Sequence, residues 1–273
     1  MQNDAPVVFF HIPKTAGTTL TSVFERLYSG RKQFLAGRNG VAHIADCVRF
    51  LGLSEEARRE YGYVAGHIEI GILDAMPVKP FVFTFLRNPW DRLVSLYRYV
   101  QRSPGHHMHQ WIVDHGASLE DFVLDGPWDE LHNGMTRRLA GVPHARTNDK
   151  RLLRQAVLNM HKYFGFVGLM ESFDKSLFCL GRLLGLEASR LVYTRKNVSP
   201  GAKAPPDYGE AAKQRILDHN ALDYELYGDC CKRFREEAAR LVSGAAQNKA
   251  FEGFKRAIKE RARAGASAGQ PEQ

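Results

Sequence analysis

The feature that most constrains the fold is a short apolar run that passes directly into a loop of small residues and then into a helical pattern. The run is APVVFFH, Ala5–His11, and its length and character are typical of a buried parallel strand. The segment after the loop repeats apolar residues at i, i+3, i+4 and i+7, which predicts an amphipathic helix. These residues are Leu20, Val23, Phe24 and Leu27. The loop therefore lies where free backbone N–H groups and a helix dipole attract anions.

Three further segments have the length and composition of buried strands. They are YGYVAGH, Tyr61–His67; FVFTFL, Phe81–Leu86; and YFGFVGL, Tyr163–Leu169. After the second of these, Asn88 is a good helix N-cap and Pro89 takes the first helical position, where its missing N–H is not needed. Because strands alternate with helices along the chain, the sequence predicts an α/β fold with a central, mainly parallel sheet.

Composition limits the class of partner. With 273 residues, 44% of them hydrophobic and 25% charged, the chain is long enough to bury a sizeable core. Its formal net charge of +8 favours anionic partners such as nucleotides, acidic glycans, nucleic acids or membrane surfaces. Nucleic-acid binding would need a basic face with interleaved aromatic residues and a known module, and the sequence has neither.

Targeting signals and cysteine spacing bear on the compartment. The N-terminal sequence MQNDAPVVFF has no basic segment and no long apolar stretch, so it does not resemble a signal peptide. No run reaches the roughly 18 apolar residues of a membrane span. The four cysteines, which show no C-x-x-C spacing, are expected to be reduced thiols. They are Cys47, Cys179, Cys230 and Cys231. These features predict a cytoplasmic protein.

The chain divides into one large domain, residues 1–243, and a separate C-terminal segment, residues 244–273. This segment contains NKAFEGFKRAIKERARA, a basic helical pattern with a thin apolar stripe formed by Phe251, Phe254 and Ile258. The stripe could pack on the domain or, together with the lysines, attach weakly to a membrane surface. The final residues, GASAGQPEQ, have the composition of a disordered tail.

The loop HIPKTAGTT has the ingredients of a phosphate-binding loop in an unusual order. A nucleoside-triphosphate loop runs G-x-x-x-x-G-K-[ST], with its glycines before the lysine. Here Lys14 comes first. Gly17 allows the backbone to approach an anion closely, and Thr18 and Thr19 add hydroxyl donors. The pattern predicts an anion site, and the alternative is a plain loop with a surface lysine.

The segment FLRNPWDRLVSLY offers a second group of phosphate ligands. Arg87 ends a predicted strand, and Arg92 and Ser95 are three apart and share a helix face. Arginine can hold a phosphate through two hydrogen bonds, and a serine hydroxyl can add another. Alternatively, Arg87 or Arg92 pairs with Asp91 or caps a sheet edge.

A histidine ends the second predicted strand and is a candidate base. In open α/β sheets, ligands bind outside the carboxyl ends of the strands, so we expect His67, Lys14 and Arg87 to meet in one cleft. An ordinary imidazole is suited to proton transfer near neutral pH. Glu69 is a reserve base, since alternation places it beside His67 if the strand continues. The alternative is a structural histidine that donates to a backbone carbonyl.

These segments resemble the sulfotransferases that use 3′-phosphoadenosine-5′-phosphosulfate (PAPS). HIPKTAGTT resembles their 5′-phosphosulfate loop, in the form typical of the carbohydrate branch that includes the uronosyl 2-O-sulfotransferases. LRNPWDRLVSLY resembles their 3′-phosphate motif, an arginine followed eight residues later by a serine. Weaker similarities extend from about Val7 to Tyr227: AGH, NGMTRRLAG, FVGLMESFDKSL and LDYELY. The resemblance implies a P-loop-like three-layer sandwich, with residues 1–243 as the sulfotransferase domain.

The resemblance also implies roles for individual residues. Lys14 would contact the sulfonate and bridging oxygen of PAPS, and His67 would be the general base. Arg87 and Ser95 would bind the 3′-phosphate. Further residues implied for the nucleotide are Thr15, Ala16, Gly17, Thr18 and Thr19 around the 5′-phosphate, and Arg195 and Lys196 covering it. Those implied for the acceptor are Glu69, Asn133, Arg137 and Arg138.

The implied reaction is in-line sulfuryl transfer to a hydroxyl of a carbohydrate or glycan-like acceptor, driven by positioning and fixed positive charge. No metal is required. The run HHMH (His106, His107, His109) lacks a carboxylate or cysteine partner at a metal-binding spacing. Two alternatives stay open: a nucleotide kinase or NTPase, which would depend on magnesium, and a non-catalytic binder of anionic ligands.

Overall fold

The computed structural model of the protein describes residues 5–37, 43–142, 149–194 and 208–267. The strands within them are β1 (Val7–Phe10), β2 (Lys32–Ala36), β3 (Tyr61–Gly66), β4 (Phe81–Leu86) and β5 (Phe164–Leu169). These strands are parallel and form one sheet in the order β2-β3-β1-β4-β5. The predicted α/β class and parallel sheet are confirmed.

Helices connect the strands and cover the sheet. They are α1 (Gly17–Leu27), α2 (His43–Leu51), α3 (Glu55–Arg59), α4 (Ile70–Asp74), α5 (Pro89–Gln101), α6 (His109–His115), α7 (Leu119–Leu124), α8 (Gly134–Ala140), α9 (Lys150–Tyr163), α10 (Phe173–Leu183), α11 (Glu210–His219), α12 (Ala221–Leu241) and α13 (Ala245–Ser267). Short 3₁₀ turns lie at Asp129–Leu131, Met170–Ser172 and Ala188–Leu191. Helices α1 and α5 begin where the sequence predicts them.

One strand, β2, is not predicted from the sequence. It lies at an edge of the sheet, and its sequence KQFLA begins with an exposed lysine and a half-buried glutamine. Only Phe34 and Ala36 of this strand are buried. An edge strand needs little apolar sequence because one side of it faces solvent, so β2 lacks the apolar run that reveals the central strands.

The central strands bring three loops to one edge of the sheet. β1 pairs on one side with β3, where Phe10 lies opposite Gly66, and on the other with β4, where Phe9 lies opposite Phe83. The rings of Phe9 and Phe83 stack at a centroid distance of 4.9 Å and help to fix this register. Since all three strands run in the same direction, the residues after them, including His67 and Arg87, meet at one edge.

Gly66 ends β3 in a conformation that favours glycine. Its φ is 124°, and a Cβ at this position would lie 2.2 Å from the carbonyl oxygen of Ala36 on the neighbouring strand. Glycine therefore allows β3 to stay paired with β2 to its last residue and then turn. The turn carries His67 over the edge of the sheet.

A second apolar cluster orients α5. Its buried residues include Leu93 and Val100 from α5, Phe122 from α7 and Ile216 from α11. Packing of this face leaves Ser95 half-buried on another face of α5. That face is the one that turns toward the edge of the sheet.

The C-terminal helix α13 docks on the domain. Phe254 and Ile258 are 3% and 7% exposed, and the Phe251 ring lies 5.2 Å from that of Phe178 on α10. The apolar stripe is thus covered by the protein itself, which favours packing over the membrane attachment considered above. The helix continues to Ser267, three residues into the predicted tail, and the rest of the tail lies outside the described residues. Among the helices described, none combines the length and apolarity needed to cross a bilayer.

Candidate active site

A cleft of about 1610 Å³ opens at the edge of the sheet where β3, β1 and β4 end. Typical small-molecule sites measure about 300–1,000 Å³, so this cleft has room for a nucleotide and a second substrate. The residues predicted from the sequence that line it are His11, Lys14, Ala16, Gly17, Thr18, Thr19, His67, Arg87, Ser95 and Arg138. The structure thus brings the three predicted segments to one place.

The loop after β1 has an irregular backbone. Lys14 and Ala16 both adopt the left-handed region, with φ of 69° and 66°, at a cost of about 1–3 kcal/mol each. The hydroxyl of Thr15, which is fully buried, donates to the carbonyl of Ile12 at 2.7 Å and holds the turn. Thr15 therefore shapes the loop and does not offer its hydroxyl to a ligand. Ala16, at the N-cap of α1, has no side-chain acceptor for the first N–H groups of the helix, which suits an anion there.

Gly17 allows the ring of His11 to lie against the start of α1. A Cβ on Gly17 would come within 1.9 Å of His11 Nε2. His11 in turn stacks on His67, with ring centroids 4.5 Å apart, and on Phe9 at 5.3 Å. Burial, followed by the charges of His67, Arg138 and Lys14, holds the pKa of His11 well below its usual range. His11 is therefore a neutral, structural element of the loop at physiological pH.

Replacement of Gly17 by alanine is expected to destabilise the protein by about 1–3 kcal/mol, because the added methyl overlaps the His11 ring and no flexible group can yield. Chemical denaturation measures the change. Gly228→Ala is the matched control, since Gly228 is also helical and has open space at its Cβ position. We expect the control to be neutral or slightly stabilising. Equal stability of Gly17→Ala and the wild type would contradict this account of the loop.

His67 is held in a defined orientation. Its Nδ1 lies 3.0 Å from the carbonyl oxygen of His11. A carbonyl can only accept, so Nδ1 of the neutral ring must carry the proton, and Nε2 keeps the lone pair. The structural and catalytic interpretations of His67 are therefore compatible, because one ring nitrogen is used for positioning and the other remains basic.

Lys14 lies in a partly desolvated position. Its Nζ is 4.0 Å from the centroid of the Tyr99 ring, within the range of a cation–π contact. Burial, followed by the positive charges of Arg87 and Arg102, lowers the pKa of Lys14 to about 8. A nearby anion would relieve both causes. The site is thus electrostatically prepared for a negatively charged ligand.

Arg87 links the two predicted anion-binding segments. Its Nη1 donates to the backbone carbonyl of Lys14 at 3.3 Å, which ties the end of β4 to the loop after β1. The start of α5 is fixed by Asn88, whose side chain accepts from the N–H of Asp91 and whose own N–H donates to Glu171 at 2.7 Å. Burial lowers the pKa of Arg87, as Lys14 and Arg87 occupy one poorly solvated cleft.

Arg92 does not belong to the cleft, although it is three residues from Ser95. It is completely buried and donates to the Glu130 carboxylate and, at 3.0 Å, to the Glu130 carbonyl. A second carboxylate, Asp223, lies 3.8 Å away. Of the two interpretations of this arginine, ion pairing is therefore correct.

Glu130 also lines the cleft and stays ionised. Burial alone would raise its pKa, but the guanidinium groups of Arg92 and Arg138 hold that pKa below its ordinary value. Nε of Arg138 donates to the Glu130 carboxylate at 3.3 Å. Arg138, a predicted acceptor contact, thus lies in the cleft beside a fixed negative charge.

Three other predicted acceptor contacts do not line the cleft. Asn133 is fully buried, and its side-chain oxygen accepts from the N–H groups of Leu222 and Asp223 at 3.0 and 3.2 Å. Arg137 is also fully buried and donates to Nδ1 of His132 at 2.8 Å. Their placement gives both residues a structural role, because each fixes α8 to neighbouring segments.

Glu69 fails the condition on which its prediction depended. β3 ends at Gly66, and Glu69 is instead the N-cap residue of α4 with an extended backbone. Side-chain alternation therefore does not carry through to this residue. It is half-buried and lies outside the set of residues that line the cleft.

Several residues of the cleft were not identified from the sequence. Tyr99 and Arg102 follow Ser95 at i+4 and i+7 on α5, so the helical period would have found them once Ser95 was placed. Phe251 and Lys255 of α13 also line the cleft. Nothing in their sequence context indicates this, because they reach the cleft only through the docking of α13 on α10.

The proposed metal and nucleotide-covering residues need separate statements. Among the described residues, no group of three or more histidine, cysteine or acidic side chains is placed to hold a metal. His106 and His107 stack at 4.5 Å, and Nδ1 of His109 donates to the carbonyl of Val100 at 2.8 Å. Arg195 and Lys196 lie outside the described residues.

Comparison with known proteins gives relatives of one kind. Mouse galactose-3-O-sulfotransferase 3 is 25% identical over 272 residues, and human galactose-3-O-sulfotransferase 3 is 24% identical over 271; each alignment covers 90% of this chain. The chain spans 60% of the length of these two relatives. A solved structure, mouse sulfotransferase SULT7A1 complexed with PAP, is similar with a TM-score of 0.38 and 13% identity, covering 96% of this chain and 90% of that one.

A family model described as the sulfotransferase family matches residues 1–229. The matched region contains the loop after β1, His67, and the start of α5 with Arg87 and Ser95. It ends within α12, before α13 begins. Since the match covers most of the sequence, the chain belongs to the sulfotransferase family.

Proposed function

We propose that this protein transfers the sulfuryl group of PAPS to a hydroxyl of a carbohydrate or glycan-like acceptor. The observation that carries the proposal is the joining of two anion sites in one cleft, where Arg87 donates to the backbone carbonyl of Lys14. A nucleotide with a 5′-phosphosulfate and a 3′-phosphate would bridge them. Family membership supports the donor, and the galactose-3-O-sulfotransferases among the relatives support the acceptor class.

The donor would be held at both phosphates. The first N–H groups of α1 and the hydroxyls of Thr18 and Thr19 would surround the 5′-phosphate, while Lys14 contacts the sulfonate and the bridging oxygen. Arg87 and Ser95 would bind the 3′-phosphate by charge-assisted hydrogen bonds. This division of labour accounts for a loop in which lysine precedes glycine, since no triphosphate has to be surrounded.

His67 would act as the general base. Its Nε2 takes the proton of the acceptor hydroxyl while the hydroxyl oxygen attacks the sulfur in line. The carbonyl of His11, 3.0 Å from Nδ1, keeps the ring in the required tautomer. The carboxylate of Glu130 interacts electrostatically with His67 and would stabilise the imidazolium that forms.

The bond between sulfur and the bridging oxygen breaks as the new S–O bond forms. The electron pair stays on the leaving 5′-phosphate, so the products are the sulfated acceptor and 3′-phosphoadenosine-5′-phosphate (PAP). Lys14 would offset the negative charge that develops on the leaving oxygen. Arg138 lines the cleft near His67 and is proposed to contact the acceptor.

Thermal stabilisation by PAP tests the nucleotide site. PAP at about a hundred times its Kd is expected to stabilise the protein by about 2.7 kcal/mol, a shift that a melting experiment detects, while ADP and AMP stabilise it less. Arg87→Ala should remove most of the effect of PAP, because it deletes the charge on the 3′-phosphate. An equal or larger effect of ATP with magnesium would overturn the proposal and favour a nucleotide kinase.

A further inference from the structure

The C-terminal helix α13 reaches the cleft with two side chains. Phe251 and Lys255 lie one helical turn apart and both line the same cleft as Lys14 and Arg87. The Lys255 ammonium is 5.0 Å from the centroid of the Phe251 ring and pairs with Glu252 at 2.6 Å. The family match ends at residue 229, so neither side chain belongs to the matched region.

The order of the strands indicates which end of the cleft α13 occupies. Across the edge of the sheet, His67 follows β3, Lys14 follows β1 and Arg87 follows β4. The next strand is β5, and the cleft residues that follow it run from Met170 to Lys175 into α10. Helix α13 docks on α10. Phe251 therefore lies at the end of the cleft remote from the proposed base, beyond the proposed phosphate sites.

This end of the cleft is built from aromatic side chains on a packed support. The rings of Phe173 and Tyr193, which both line the cleft, meet edge to face at 5.0 Å. The hydroxyl of Tyr193 donates to Asp174. Phe251 rests on Phe178, and the buried Phe254 fixes the helix behind it. A rigid aromatic surface of this kind suits the face of a nucleobase.

We propose that α13 forms the wall of the cleft that receives the base of the nucleotide, with Phe251 packing against the base and Lys255 placing a cation at its edge. The inference rests on the proposed function, because it is the phosphates at Lys14 and Arg87 that direct the base toward β5. It makes a segment outside the family match a part of the donor site.

Two ligands separate contact with the base from contact with the phosphates. Phe251→Ala is expected to weaken PAP binding about ten-fold, as loss of one aromatic contact with a base would. Binding of ribose 3,5-bisphosphate, which has both phosphates but no base, should change less than about two-fold. Calorimetry or a thermal-shift titration measures both. Phe251→Leu keeps apolar packing on Phe178 and should still weaken PAP selectively.

Controls on the same helix make the result specific. Lys255→Ala should weaken PAP binding a few-fold, whereas Lys259→Ala, an exposed lysine outside the cleft, should leave it unchanged. Equal weakening of both ligands by Phe251→Leu, or unchanged PAP affinity in Phe251→Ala, would overturn the inference. A wild-type protein that does not bind PAP would overturn the proposed function first, and that outcome is visible before any variant is made.

Discussion

Replacing Lys14 by alanine is expected to lower kcat about 100- to 1,000-fold while leaving the KM for the acceptor nearly unchanged. The charge of Lys14 acts on the leaving phosphate oxygen, where negative charge develops only in the transition state. Steady-state rates at saturating PAP measure the effect. Retention of near-normal turnover would remove Lys14 from the mechanism.

The pH dependence of the same residue gives a second, independent readout. Because the pKa of Lys14 is lowered to about 8, the free enzyme loses this charge as pH rises through that value. We expect kcat/KM for PAP to fall above about pH 8, and kcat to fall only at higher pH, because the bound anion raises the pKa of Lys14. Lys14→Arg keeps its charge throughout this range and should abolish the alkaline limb. A limb that persists in Lys14→Arg would assign it to another group.

Replacing His67 by alanine is expected to lower the rate of transfer about 100- to 10,000-fold and to leave the Kd for PAP unchanged. The side chain would act on the acceptor proton and has no assigned contact with the nucleotide. Single-turnover rates and a PAP titration separate the two effects. A parallel loss of PAP affinity would contradict the assignment.

A more conservative variant tests whether positioning or basicity is lost. The amide of His67→Asn can donate to the carbonyl of His11 as Nδ1 does, but it has no basic nitrogen. This variant should therefore keep the stability of the loop and still lose transfer. His115→Ala is the control, since His115 is exposed, bonds only locally to the carbonyl of Trp111 in the described structure, and lies outside the cleft.

Much of the central sheet could be predicted because its signals are local. The apolar runs of β1, β3, β4 and β5 are buried on both faces, so their sequences are nearly continuous in apolar residues. The edge strand β2 has no such run and was missed. Segments that need only their own sequence to be recognised were found, and the segment whose identity depends on its position in the sheet was not.

The two arginines at the start of α5 show where local reasoning stops. Arg87 and Arg92 are five residues apart and equally suited by chemistry to a phosphate. Glu130, 38 residues further along the chain from Arg92, and Asp223 on α12 neutralise Arg92 inside the protein. Arg87 has Lys14 as its neighbour and lines the cleft. The same reasoning applies to Arg137, which is buried against His132 while the adjacent Arg138 lines the cleft.

The sequence by itself determined the parallel α/β class, the loop from Lys14 to Thr19 and the segment from Arg87 to Ser95. Strand, loop and helix follow one another directly in these segments, and their chemistry is set by neighbouring residues. Only the tertiary structure decided which polar side chains line the cleft, and that Phe251 reaches it. Burial depends on segments far apart in the sequence, whose packing determines which charges are neutralised and which stay available to a ligand.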